Sequence, residues 1–275
     1  MDDFPAVEKS LTLSSFDPDS TPGFSGSKAT GAKALASGAE RLSDLQEKLF
    51  AESRFGGTRS VLLVLQGMDT SGKGGIVGHV VGAVNPQGVR VAGFKAPTDE
   101  EKAHDFLWRV RPQVPPAGYI GVFDRSHYED VLIHRVHGWA SPEVIDERYA
   151  KIREFESELV ASGTTIVKVM LHISKDEQKA RLTERLERED KHWKFNPGDL
   201  DEREYWDAYQ QAYELALAKT STPDAPWFVI PANRKWYARL AVQHLLLRAL
   251  GSLDLHWPQP DYDVAAQKAR LAASD

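Results

Sequence analysis

The sequence predicts a single three-layer α/β domain built on a mainly parallel sheet. Three observations predict it. Five apolar runs, at 60–66, 89–94, 119–123, 165–173 and 227–230, lack the apolar–polar alternation of a half-exposed strand and read as strands buried on both faces. Helical patterns separate most of these runs, as parallel strands joined by crossovers require. The first run leads into Gly67-Met68-Asp69-Thr70-Ser71-Gly72-Lys73-Gly74, a glycine-rich turn followed by a helical pattern.

In chain order, residues 1–28 are rich in Asp, Ser, Pro and Gly and show little apolar period. They read as a flexible arm or a segment draped over a partner. From 28 to 54, Leu35, Leu42, Leu45 and Leu49 fall near one helical face. A helix over 73–83 follows the glycine-rich turn. A helix over 98–110 opens with Thr98 and Glu101 in capping-box spacing. Ser141 before Pro142 fits an N-cap followed by proline at the first helical position, and opens a helix over 142–161. Ser174 with Glu177 is a second capping box, opening a helix over 175–188. The polar stretch 188–199 reads as an inserted loop, followed by helices over 202–219 and 234–250. No internal repeat or strong break divides the chain. The expected organisation is an arm at 1–28, one domain at 29–255 with a lid at about 181–200, and a tail at 256–275.

Composition narrows the function classes. The 275 residues carry 34 basic and 40 acidic side chains, a formal net charge of −6, with 27% charged and 41% hydrophobic residues. That composition supports a packed core and excludes wholesale disorder. The absence of cysteine excludes disulfides, iron–sulfur clusters and thiolate–zinc sites. The first residues are acidic and polar, without a signal-peptide core, and the apolar run 61–65 is far too short to span a bilayer. A cytoplasmic protein with no membrane partner is expected. The acidic balance argues against a nucleic-acid partner and by itself gives no sign of a polyanionic one.

The glycine-rich turn overrides that last inference. Gly67 and Gly72 let the backbone wrap closely around an anion, and Thr70, Ser71 and Gly74 complete a cradle of amides. The helix behind it offers its N-terminus, and Lys73 adds a mobile positive charge. Position 74 is Gly, where such loops normally carry a Ser or Thr hydroxyl for a metal. Asp69, inside the loop, is the obvious replacement ligand, because a carboxylate beside phosphate makes sense when it holds Mg²⁺. The bland reading of Asp69 is a solvent-facing turn residue.

A second acidic position ends the run 119–123. Asp124 stands where a carboxylate would reach the carboxyl edge of the sheet, the place where open α/β folds bind ligands. Paired with the glycine-rich loop, it reads as a metal ligand. Arg125 could clamp a phosphoryl group in bidentate fashion. Glu129 is either a further acidic group near the metals or the first turn of a helix, where negative charge is favoured anyway. His127 reads as structural, since transfer to a phosphate oxygen needs little proton abstraction. Further on, Arg181, Arg185 and Arg188 share a helical face, followed by Lys191 and Lys194. Interleaved glutamates allow a solvated, ion-paired helix. Next to a phosphate loop, the same pattern suits a basic lid that closes over a transferring group. Lys95 and Arg109 are lesser candidates for phosphate contacts.

At these residues the chain resembles family 2 of the polyphosphate kinases. The matching stretches run from Gly67 through Gly75, 84–89, 94–98, 104–109, Asp124 through Leu132, 193–195, 204–206, 225–227 and 230–236, and the resemblance covers about 43–250. It implies a fold similar to thymidylate kinase with a helical lid, and reversible, Mg²⁺-dependent phosphoryl transfer between inorganic polyphosphate and a nucleotide. By resemblance, Asp69, Lys73, Asp124, Arg125 and Arg185 would be catalytic, with Asp69 and Asp124 on the metal. Gly67, Thr70, Ser71, Gly72, Gly74, Asn85, Lys95, Arg109, Glu129, Arg181 and Arg188 would bind phosphate or nucleotide. Adenine nucleotides are the expected partners, with guanine a second option, and a homo-oligomer is left open. The runs around Asn85, Trp108, Trp193 and Asn233 resemble the subgroup that phosphorylates both AMP and ADP. That subgroup often carries Asn where this chain has Asp124, so the choice between AMP and ADP stays open. Two other readings also stay open at this point: an ATP-dependent kinase of a nucleotide or other small acceptor, and a nucleotide-sensing switch without turnover. The absence of a guanine-specific Asn-Lys-x-Asp element weakens the switch.

Overall fold

A computed structural model describes Val7 and residues 12–274. Its sheet has five parallel strands: β1 (Ser60–Gln66), β2 (Val89–Gly93), β3 (Ile120–Asp124), β4 (Thr164–His172) and β5 (Trp227–Pro231). Their order is β2-β3-β1-β4-β5. β1 is central and every one of its residues is buried, which is why it reads as an unbroken apolar run. The strand order reverses between β3 and β4, on either side of β1, so the crevice at the carboxyl edge opens there. Leu65 pairs with Asp124, and Asp124 with Gly93, which sets that carboxylate beside the start of the loop after β1.

Helices cover both faces. α1 (Lys28–Ser53), α2 (Lys73–His79) and α9 (Lys235–Gly251) pack together on one side. α4 (Glu129–Val136), α5 (Pro142–Ala161) and α8 (Trp206–Thr220) pack on the other. α6 (Lys175–Glu187) leaves the carboxyl end of β4, and α7 (Gly198–Glu204) follows it. The expected caps at Ser141 and Ser174 are present, and Ser27 caps α1 in the same way: each side chain accepts from the third amide beyond it. The capping box expected at Ser174 and Glu177 is only half formed, because the Glu177 carboxylate accepts from Arg181 instead. No helix among the described residues is long and apolar enough to cross a membrane.

Five expectations are corrected. The run at 89–94, expected to be buried on both faces, is the edge strand β2, with Arg90, Val91 and Gly93 exposed. The helix over 98–110 is a single turn, α3 (Asp99–Lys102), although its capping box forms as expected. Asp105 ends it: its Oδ1 accepts from the Leu107 amide at 3.1 Å and its Oδ2 from Lys151 at 2.7 Å, diverting the backbone into turns. The helix over 73–83 stops at His79, in a stretch weakened by Gly74, Gly75 and Gly78, and a short 3-10 turn at Val81–Ala83 follows. The stretch 188–199 is a 3-10 segment, Glu189–Lys194, followed by the start of α7 rather than a plain loop. The helix over 202–219 is divided at Tyr205 between α7 and α8. A helix not drawn from the pattern, α4, begins at Glu129.

Residues 12–27 lie against the core. Leu13 is buried, and its amide donates to Glu214 at 2.7 Å. The Asn233 amide donates to the Pro18 carbonyl at 3.1 Å, and Tyr237 Oη to the Pro22 carbonyl at 2.7 Å. Phe24 meets Trp236 edge-on at 5.8 Å. At the other end, α10 (Val264–Ala272) is exposed along its whole length.

Candidate active site

The loop between β1 and α2 is held in a shape that an ordinary turn cannot take. Gly67 has φ +145° and Gly72 φ +114°, and Thr70 between them sits at φ +64°, in the left-handed region. A Cβ on Gly67 would stand 2.6 Å from the Leu171 carbonyl oxygen, so glycine is required there for space as well as torsion. The loop's carbonyl oxygens are all taken. Lys73 Nζ donates to Gly67 O at 2.6 Å and Met68 O at 3.3 Å. Gln178 Nε2 reaches Asp69 O at 3.2 Å. Arg181 Nη1 reaches Thr70 O at 2.8 Å and Ser71 O at 3.0 Å, and Gly72 O accepts from the amides of Gly75 and Ile76. Lys73 is buried, and that burial lowers its pKa against the pull of Asp69.

Asp69 and Arg125 meet across the mouth of this loop, with Nη2 to Oδ1 at 2.6 Å. Arg125 follows Asp124 at the end of β3 with φ +63°, and its amide donates to the Leu65 carbonyl, so the turn is fixed to β1. Burial works against the charge of Arg125, but Glu129 and Asp69 outweigh it and raise its pKa. Burial raises the Glu129 carboxyl above its usual range despite Arg125 and Lys73. Glu129 is the first residue of α4, as one of its two sequence readings expects.

The loop and the Asp124–Arg125 turn share one cleft of about 850 Å³, which Gly67 and Glu129 do not border. Asp69, Thr70, Ser71, Gly72, Lys73, Gly74, Asp124, Arg125, Arg181 and Arg185 all border it. Further cations border it: Lys191 and Lys194 come from the 3-10 segment after α6, and Lys235 and Arg239 from the first turns of α9, with Glu184 of α6 beside them and paired to Lys235 at 3.4 Å. Trp193, largely exposed, also borders the cleft, and the Lys194 ammonium lies 4.8 Å from the centre of its ring. Arg185 Nη1 donates to Lys194 O at 2.9 Å and to Asp199 Oδ2 at 3.1 Å, tying α6 to the start of α7. Burial raises the Asp199 carboxyl, and Asp69 pushes in the same direction.

Arg181 borders the cleft but is buried, with all its N–H groups engaged by protein oxygens. The remaining sequence-predicted residues lie elsewhere. Arg188 is half-exposed and paired with Glu184 and Asp190. Asn85, Lys95 and Arg109 lie outside the cleft lining. Asn85 caps the Gln87 amide at 3.0 Å, and Arg109 donates to Lys95 O at 2.7 Å and to Asp130 at 3.4 Å. His127 is wholly buried between Phe123 and Phe155 and takes no part in the cleft. Sequence reasoning missed Lys235, Arg239, Gln178 and Asp199. The Lys235–Arg239 pair is legible afterwards as two cations one turn apart, just after a strand end.

The donor set suits a small, hard divalent cation, which kinase chemistry implies. Asp69 and Asp124 offer carboxylate oxygens on the same cleft. No group of three or more His, Cys, Asp or Glu among the described residues forms an all-protein cage. A cation here would rest on one or two carboxylates and substrate phosphates, the pattern of phosphoryl-transfer sites.

Comparison with known proteins points the same way. Residues 25–256 match the family model described as Polyphosphate kinase 2. The AMP/ADP-polyphosphate phosphotransferase of Meiothermus ruber is 52% identical over 249 residues, 90% of this chain and 92% of that one. The ADP-polyphosphate phosphotransferase of Rhodopseudomonas palustris is 44% identical over 236 residues, 80% of this chain and 79% of that one. The crystal structure of Polyphosphate Kinase 2 from Arthrobacter aurescens TC1 superposes with a TM-score of 0.96 at 62% identity, covering 98% of this chain and 95% of that one. A five-stranded parallel sheet, a strained phosphate loop and an opposed Asp–Arg turn are thus found in a chain that belongs to the polyphosphate kinase 2 family.

Proposed function

We propose that the chain transfers phosphoryl groups reversibly between inorganic polyphosphate and adenine nucleotides, taking AMP and ADP as acceptors, with Mg²⁺. The observation that carries this reading is the cleft itself, where a phosphate loop shares one lining with a group of cations, Lys191, Lys194, Lys235 and Arg239, that outnumbers the single acidic residue, Glu184, among them. A single nucleotide tail does not need such a group, whereas a chain of phosphates does. The relatives named as AMP/ADP- and ADP-polyphosphate phosphotransferases support the same donor and acceptors. We place the reaction in the cytoplasm, on free polyphosphate and nucleotides.

The roles of the chain's own residues follow from their positions. Loop amides, freed of competing carbonyls, face the phosphates, and Lys73 lies at the loop's base within reach of a ligand that displaces its carbonyl contacts. Arg125, already aligned by Asp69, presents its remaining N–H groups to the transferring phosphoryl group. Arg185 stands on the lid side of the cleft, where its charge neutralises what develops in transfer. Asp69 and Asp124 would hold Mg²⁺, which supplies charge neutralisation and alignment of phosphate oxygens when bound. In the forward direction an acceptor phosphate oxygen bonds to the terminal phosphorus of polyphosphate while the bridging P–O bond breaks. The electron pair leaves with the shortened polyphosphate. No general base is required, because the attacking oxygen is already ionised, which agrees with the buried placement of His127.

The test is direct. Full-length protein with Mg²⁺, long-chain polyphosphate and AMP or ADP should yield ADP and ATP. Activity with ATP as the only effective donor overturns the reading, and no turnover with either donor overturns any kinase reading.

A further inference from the structure

The structure assigns Arg181, together with Gln178, to positioning the phosphate loop rather than to contacting phosphate. A guanidinium has five N–H donors. All five of Arg181 are committed: Nε to Glu177 at 2.7 Å, Nη1 to Thr70 O and Ser71 O at 2.8 and 3.0 Å, and Nη2 to Ala232 O and Asn233 O at 2.6 and 3.0 Å. One turn earlier on α6, buried Gln178 donates to Asp69 O, and its own Oε1 accepts from Arg203 of α7 at 2.9 Å. Three consecutive loop carbonyls, Asp69 to Ser71, are therefore drawn towards α6.

The consequence for anion binding is electrostatic. A carbonyl oxygen facing phosphate would repel it. In a trans peptide the next N–H points opposite to the carbonyl, so pinning Ser71 O towards Arg181 turns the Gly72 N–H away from α6. The left-handed Thr70 is the torsional cost of this arrangement, and the fork of Arg181 sustains it. Lysine, a point donor, cannot span two pairs of carbonyls.

The bracket extends to the N-terminal segment. Asn233, whose carbonyl receives Arg181, donates its amide to Pro18 O and its Nδ2 to Asp19 Oδ2 at 2.9 Å, while its Oδ1 accepts from the Ser174 amide at 3.0 Å. Residues 18–19 thus buttress the outer end of a bracket whose inner end is the phosphate loop. The segment contributes to loop geometry without bordering the cleft.

The experiment is hydrogen exchange on the free, full-length protein, which does not depend on which substrate the enzyme uses. In Arg181→Lys, segments 67–74 and 230–234 should exchange at least tenfold faster, with β1 and α5 unchanged. Arg185→Lys should leave both segments unchanged in the free protein. The exposed variant Asp19→Ala should loosen 230–234 and, more weakly, 67–74, and it keeps the proposal decidable if Arg181→Lys does not fold. Unchanged exchange at 67–74 in the folded Arg181 variant, or in Asp19→Ala when only that variant folds, overturns the bracket. The kinetic part rests on the polyphosphate-transfer reading: Arg181→Lys should lower kcat by about 10²-fold with KM for polyphosphate changed far less. A large rise in KM with normal kcat would make Arg181 a phosphate contact and also overturn the proposal. If polyphosphate is not the donor at all, the functional reading fails while the exchange result still decides the bracket.

Discussion

Removal of Lys168 is the perturbation whose cost the structure fixes best. Lys168 projects from β4 and is wholly buried, with Nζ 2.5 Å from Glu156 Oε2, 3.1 Å from Tyr128 Oη and 2.8 Å from Thr220 O. Tyr128 Oη donates to the other Glu156 oxygen at 2.8 Å. Burial opposes the charge on Glu156, but Lys168 holds its carboxylate below the usual range. Lys168→Met removes that counter-charge and leaves Glu156 buried without it, at a cost of about 3–5 kcal/mol. That is a large share of a typical stability of about 5–15 kcal/mol. In the double variant Lys168→Met/Glu156→Leu no charge remains to be compensated, so it should lie within about 1–2 kcal/mol of the parent. Urea unfolding followed by tryptophan fluorescence suits the test, since buried Trp227 lies 5.4 Å from the ammonium. The sign of the pH response is a second readout. In the single variant, burial would raise the folded-state pKa of Glu156 above its unfolded value near 4.5, so stability should rise as pH falls towards that value. In the parent the Glu156 pKa is depressed, and acid weakens it. Neither residue borders the cleft, so the folded fraction should keep its turnover. Additive losses in the double variant would refute the reasoning, because the two charges would then not be each other's compensation.

Two further outcomes are expected. Asp69→Asn should abolish turnover while leaving the fold intact, because its contact with half-exposed Arg125 contributes about 1 kcal/mol or less to stability; near-normal rates would remove Asp69 from the mechanism. Burial lowers the pKa of His172 from 6.5, so its neutral form supports the fold, and stability should fall as pH drops below 6.5 until His172 itself protonates; unfolding midpoints at pH 7.5 and 5.5 that differ as much in His172→Asn as in the parent would count against this.

The buried strands and the phosphate loop were legible because one local rule governs each. β1 is apolar from Val61 to Leu65 because both of its faces are covered, and Gly67 and Gly72 declare torsions that other residues avoid. The helix expected over 98–110 failed because Asp105 takes the Leu107 amide, and a single side chain can override a favourable pattern. The direction of Arg181 was not legible at all. Its spacing with Arg185 and Arg188 describes a shared helical stripe, yet Arg181 turns inward to backbone carbonyls of residues 70, 71, 232 and 233, while Arg188 stays in solvent. Backbone acceptors brought from 51 to 111 residues away carry no side-chain signature in the sequence. The cations of α9 were hidden for a related reason, since their helix also supplies Tyr237, Leu240 and Ala241 to the core.

The net charge of −6 would seem a handicap for a protein that holds a polyanion. Surface charges further apart than a Debye length, about 8–10 Å at ordinary ionic strength, scarcely feel one another. On the function we propose, what a bound phosphate chain senses is the cleft wall. There Lys191, Lys194, Lys235, Arg239, Arg125 and Arg185 gather, with Asp69 aligned on Arg125. The loop contributes as much by what it hides. With the Gly67 to Gly72 carbonyls each bonded to a donor, the dipoles left facing the mouth are amides. Charge far from the cleft can then serve solubility without weakening binding, and an acidic chain can work on two acidic substrates because placement outweighs the total.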